Sequence, residues 1–163
     1  MEKTACFIGH RKILKNQELI KKLEYIIKDL IINKGVKTFL FGSKSEFDDL
    51  CHNVVSSFKE KFDGIKRVYV RSSFENISCD YNAYLLKFYE QTIFPNCCKN
   101  AGKVSHIKRN EFMIDNSEIC VFYYNSSYSP KNTFGLMVER KSGTQIAVNY
   151  AKRKKRNIIN CCD

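Results

Sequence analysis

The sequence predicts an α/β fold with a mostly parallel central sheet of about five strands, and three observations carry that prediction. Apolar runs of strand length recur at 4–8, 36–41, 66–70, 119–124 and 157–161. Stretches with apolar residues at helical spacing separate most of them. The run I-C-V-F-Y-Y at 119–124 is apolar and aromatic throughout, as expected of a strand that a parallel sheet buries on both faces. Strands alternating with helices in this way imply parallel pairing through right-handed crossovers.

The first strand, at 4–8, ends in Gly9-His10-Arg11. Residues 17–34 place Leu19, Ile20, Leu23, Ile26, Ile27, Leu30 and Ile31 at helical spacing, with lysines opposite and Gly35 just past the end as a C-terminal cap. The second strand closes in Gly42-Ser43, and Ser45 caps a helix whose apolar face carries Phe47, Leu50, Cys51, Val54, Val55, Phe58 and Phe62. A third strand at 66–70 leads into an irregular piece from 71 to 80. Residues 81–91 read as a helix with Tyr84, Leu85, Phe88 and Tyr89 on one side, and P-N-C-C-K-N-A-G from Pro95 as a loop. The stretch 105–116 reads as a helix carrying Arg109, Asn110, Met113 and Ile114. After the strand at 119–124 come a long loop at 125–141, a helix from Thr144 to about Lys155 and a final strand. A loop of that length is a lid, a dimer contact or a mobile surface segment.

At 163 residues and 19.1 kDa the chain predicts a single domain over 1–163, with 44% hydrophobic and 13% aromatic residues to fill its core. There is no internal repeat and no low-complexity linker. The formal net charge of +11 and pI near 9.3 suit nucleic acid, an anionic membrane or phosphorylated small molecules. The basic run Lys152-Arg153-Lys154-Lys155-Arg156 reads first as cations at a helix C-terminus, with a nucleic-acid patch as the alternative. Eight cysteines form no C-x-x-C pair and the three histidines no H-x-x-x-H pattern, so neither a metal site nor a cofactor is expected. Reduced thiols in a cytoplasm are the economical expectation. The apolar start is too short for a signal peptide, and no stretch approaches the ~20 apolar residues of a membrane span.

Ligands of parallel α/β sheets lie in the crevice outside the carboxyl ends of the strands. Four such ends carry unusual residues here: Gly9-His10-Arg11, Gly42-Ser43, Arg71-Ser72-Ser73, and the approach to Ser142-Gly143-Thr144 at the start of the last helix. Two hydroxyls and a glycine beside free helix N–H groups suit a phosphate, although Ser-Gly-Thr is also ordinary capping chemistry. The glycines Gly9 and Gly42 permit close backbone approach, or serve only a tight turn. Arg11 and Arg71 offer positive charge, or remain solvated.

The motifs C-F-I-G-H-R, F-G-S-K-S-E-F-D, R-N-E-F-M-I-D-N-S-E and S-G-T-Q-I-A-V-N-Y-A, in that order and spacing, resemble the SLOG superfamily of nucleotide-binding domains. The resemblance covers the whole chain and is nearest a short bacterial and phage branch that opens with a similar G-H-R. It implies a Rossmann-like three-layer sandwich that binds a nucleotide or nucleotide-derived ligand, commonly as a dimer. The Lonely-guy phosphoribohydrolases of that superfamily cleave the N-glycosidic bond of a nucleoside monophosphate. Their motifs are similar at Arg109, Met113, Ser117, Gly143 and Thr144.

The departures are as informative. The position of the catalytic glutamate in those enzymes is Ala147, and their double glycine is reduced to Lys141-Ser142. Glycosidic cleavage needs a carboxylate near the sugar. Glu90 is the candidate to supply one; Asp48 is a second, and each also reads as a helix surface acid. Arg109 reads as a phosphate partner or as an ion pair with Asp115 or Glu111. The expectation is therefore a binder of a nucleotide signal, for example one made by an antiphage defence system. Ser142, Gly143 and Thr144 would hold phosphate, Arg109 and Asn110 would lie beside it, and Gly9, His10, Arg11, Gly42 and Ser43 would wall the ribose or base. A hydrolase acting through Glu90 and a single-stranded nucleic-acid binder are the alternatives.

Overall fold

The computed structural model describes residues 2–128 and 141–162. Six parallel strands form one sheet in the order β4-β3-β2-β1-β5-β6, with helices alternating between them. The elements follow in chain order as β1 (Lys3–Gly9), α1 (Gln17–Ile32), β2 (Val36–Phe41), α2 (Glu46–Lys59), β3 (Lys66–Val70), α3 (Cys79–Leu85) and β4 (Gln91–Ile93). Two 3-10 turns, Asn96–Cys98 and Gly102–Val104, then lead to α4 (Ser105–Asp115), β5 (Ile119–Tyr123), α5 (Gly143–Arg153) and β6 (Asn157–Asn160).

The period-2 alternation of the strands sends side chains into two separate cores. Phe7, Phe39 and Phe41 face the layer of α1 and α2, where they meet Leu23, Ile27, Phe47 and Val55. Cys6, Ile8 and Leu40 face the opposite way, onto Met113, Ile114, Ala147 and Ala151 of α4 and α5. β5 is buried at every position, as its unbroken apolar run requires. The result is the expected Rossmann-like three-layer arrangement.

Two predicted elements differ. The helix expected at 81–91 ends at Leu85, because its successors turn to place Glu90 and Gln91–Ile93 beside β3 as a sixth strand. Three residues at a sheet edge are too few to show an alternating pattern. Gly35 is not itself the cap of α1: Asn33 caps it, and Gly35 follows at φ 72 to lead into β2. Most of the predicted loop at 125–141 lies outside the described residues.

Because all strands run the same way, Gly9, Gly42, Arg71, Phe94 and Tyr124 all follow strand ends at one edge of the sheet. The strand order reverses between β1 and β5, which places the switch-point crevice next to His10 and Tyr124.

Candidate functional site

Arg109 lies in the second turn of α4, is 7% exposed, and points across the sheet edge toward the end of β2. Its Nη1 donates to the Gly42 carbonyl and reaches Ser72 Oγ at 3.5 Å; Nε and Nη2 both donate to Asn110 Oδ1, at 3.2 and 3.1 Å. Every one of these acceptors is neutral. The expected ion pair with Asp115 or Glu111 is not made: Asp115 accepts from the Tyr150 hydroxyl and pairs with Lys154, and Glu111 pairs with Lys108.

Asp48 approaches the same turn from the other layer. Its Oδ2 accepts from the backbone N–H groups of Gly42 at 3.1 Å and Ser43 at 2.8 Å, while Oδ1 is buried with no hydrogen-bond partner. Ser45, the cap of α2, accepts from Asp48 N and from the Ser43 hydroxyl. Asp48 is thus no surface acid. Burial pushes its carboxyl up to about 7, against the pull of the Ser43 and Gly42 amides and the Arg109 charge. The Gly42–Ser43 unit is therefore gripped by an acid on one face and a base on the other.

The two strand-end glycines are explained by the protein's own packing. A Cβ on Gly9 would lie 2.4 Å from Phe47 Cδ1, and one on Gly42 would lie 2.6 Å from Met113 Sδ and 2.7 Å from Arg109 Nε. Neither opens the backbone to a ligand. Gly143 is different: among the described residues a Cβ there would meet only His106 Cδ2, at 3.9 Å. The start of α5 therefore abuts the first turn of α4, one turn from Arg109. Ser142 is the cap, its hydroxyl accepting from Gln145 N at 3.0 Å, and Thr144 is buried beneath it. His106 is held below the usual imidazole range, first by burial and then by the Arg109 charge, so it stands as a neutral ring there.

The remaining predicted residues divide. His10 is buried, and its ring stacks on Tyr128 with centroids 4.0 Å apart. Its Nε2 accepts from Asn125 N at 2.9 Å, so it fills the switch-point crevice rather than offering itself there. The Arg11 side chain is exposed, and its carbonyl accepts from Glu46 N. The Arg71 guanidinium is not a free cation either: it donates to Thr92 Oγ1 and to the carbonyls of Phe74 and Glu75.

Glu90 is not brought to this edge. It lies beside Arg67 near the amino ends of β3 and β4, where it receives Arg67 Nη2 at 2.8 Å, Nε at 3.1 Å and the backbone N–H at 2.7 Å, with Lys59 Nζ 3.5 Å away. Burial pushes its carboxyl up, yet the Arg67 contacts outweigh that and hold it below the usual range. Its place is the structural consequence of the short edge strand. Ser72, expected only as part of the Arg71-Ser72-Ser73 strand end, comes within reach of Arg109, and His106 joins the site without any signal in the sequence. Only the fold, which sets the ends of β3 and α4 beside β2, makes them visible. Among the described residues there is no cluster of metal-ligating side chains, and no helix is long and apolar enough to cross a membrane. No protein-family model matches the chain, and no curated protein matches it.

Proposed function

We propose that the chain is a SLOG-like binding domain that holds a nucleotide or nucleotide-derived ligand, with its phosphate between Arg109 and the start of α5. The observation that carries this reading is the state of Arg109: a buried guanidinium at the ligand-binding edge of a parallel sheet whose hydrogen bonds among the described residues all go to neutral oxygens. Burying a cation without a contacting carboxylate is costly, and an anion would offset that cost through charge-assisted hydrogen bonds. Gly143 supports the same reading, since among the described residues only His106 approaches its hydrogen side.

Binding is favoured over glycosidic cleavage. Glu90 sits at the wrong edge and Ala147 has no carboxylate. Asp48 is fully enclosed with one oxygen committed to the turn. The protein would act as a sensor or a sequestering protein, commonly as a dimer in the superfamily it resembles.

The test is to heat the purified protein, identify any released small molecule by mass spectrometry, and follow with a thermal-shift series of mono-, di- and cyclic nucleotides. The nucleotide should be recovered intact, and Arg109→Ala and Thr144→Ala should each weaken the best binder by at least tenfold, about 1.4 kcal/mol. Unchanged affinity in both variants would remove the assignment.

A further inference from the structure

The switch-point crevice is filled by His10 and Tyr128, so room for the rest of a ligand must lie elsewhere along the edge. A cleft of about 290 Å³ opens there, between the segment after β3, the end of β4 and the start of α4. That volume is at the small end of ligand sites. Its walls carry two phenyl rings, Phe74 and Phe94, with the hydroxyls of Ser72 and Ser105 and the amide of Asn100.

Phe74 is 79% exposed and held at φ 60, a conformation that costs a large side chain energy. Arg71 fixes both ring-bearing walls at once. Its Nη1 donates to the Phe74 and Glu75 carbonyls, its Nε donates to Thr92 Oγ1 at 3.1 Å, and its guanidinium lies 5.6 Å from the Phe94 ring centroid. The charged residues lining the cleft, Lys99 and Glu75, pair with each other at 3.4 Å. The charges at the cleft are thus paired, and its lining is mostly polar and rich in small hydrogen-bonding groups, with the two phenyl rings at its walls. Ser72 joins it to the cationic part of the site, because the Oγ that lines this edge lies 3.5 Å from Arg109 Nη1.

We infer that this cleft is the nucleobase subsite, with the base stacked on Phe74 and its polar edge met by Asn100 and the serine hydroxyls. The inference rests on the nucleotide reading given above. A charge-balanced polar cleft with an exposed ring on its wall, adjoining a buried cation, matches the two halves of a nucleotide, a heterocycle with a polar edge and an anion, in both chemistry and order. Stacking on an aromatic ring tolerates any base, so the assignment does not depend on which base the natural ligand carries.

The test is photolabelling of the full chain with 8-azidoadenosine 5′-monophosphate, followed by peptide mapping. Label on residues 72–75 or 94–102 that excess AMP suppresses is the expected result. AMP-suppressible label at 9–11 or 123–128 would overturn the cleft while leaving nucleotide binding intact. No suppressible label anywhere, with no thermal shift from any nucleotide, would overturn both. Phe74→Ala, at an exposed position, should lower AMP affinity about tenfold and leave ribose 5-phosphate affinity unchanged, with Phe74→Tyr restoring it. Loss of both affinities, or of neither, would overturn the subsite.

Discussion

Asp48 shows how far one residue's character depends on the fold around it. In the sequence it is the third residue of a capped helix, where acids ordinarily favour the dipole from the surface. In the structure it is 3% exposed, with one oxygen on two backbone N–H groups and the other unpaired. Its carboxyl, raised to about 7, lies well above the ordinary value of 3.8 that it regains on unfolding. The folded protein therefore binds the proton more tightly than the unfolded chain. The associated stability is fully present below about pH 4 and is lost as pH rises toward and through 7. The full swing corresponds to roughly 4 kcal/mol. In chemical denaturation between pH 4.5 and 8, Asp48→Asn should gain stability relative to the wild type as pH rises, while the imidazoles of His10, His52 and His106, held below their usual range, push both proteins the opposite way. A difference between wild type and variant that does not change with pH would show that the carboxyl is not held in the neutral form.

At the scale of elements, the three glycines of the expected site separate into two classes. Gly9→Ala drives a methyl group into the Phe47 ring, and overpacking of this kind costs about 1–3 kcal/mol. Gly143→Ala sits at the first position of α5, where among the described residues the methyl would meet only His106, and should leave stability unchanged or up to about 1 kcal/mol higher. It should nevertheless weaken anion binding, because the added methyl occupies the side from which a phosphate would approach. Parallel melting curves and nucleotide titrations of the two variants would separate packing from ligand contact. The strands β1, β2, β3, β5 and β6 were legible from apolar runs, and α1, α2, α4 and α5 from helical spacing and caps. What escaped was set by contacts between distant segments: β4 exists because it pairs with β3, and Glu90 leaves its predicted helix because Arg67 holds it there. Arg109, Asn110 and the Ser142–Thr144 turn were legible as site candidates. Ser72 was legible only as part of the strand end 71–73, and His106 was not legible at all, since nothing local distinguishes a histidine in a first helical turn.

For the whole molecule, the net charge of +11 is the property that most readily misleads. A positive field of that size attracts any polyanion, so weak binding to oligonucleotides at low salt is expected of this protein and does not by itself identify a ligand. Site binding and field binding differ in their salt response. Polyanion affinity should fall steeply between 50 and 200 mM salt and grow with oligonucleotide length, whereas a mononucleotide that contacts one buried guanidinium should lose only a few-fold. Fluorescence titrations at the two salt concentrations would distinguish them; a mononucleotide with the steeper dependence would favour the nucleic-acid reading. A sheet two side-chain layers thick usually insulates its faces from each other. Here the single amide between Gly42 and Ser43, just past the end of β2, donates its N–H to Asp48 and accepts from the Arg109 guanidinium through its carbonyl. An anion held against that cation would offset the pull of Arg109 on the Asp48 carboxyl and so raise its hold on a proton further.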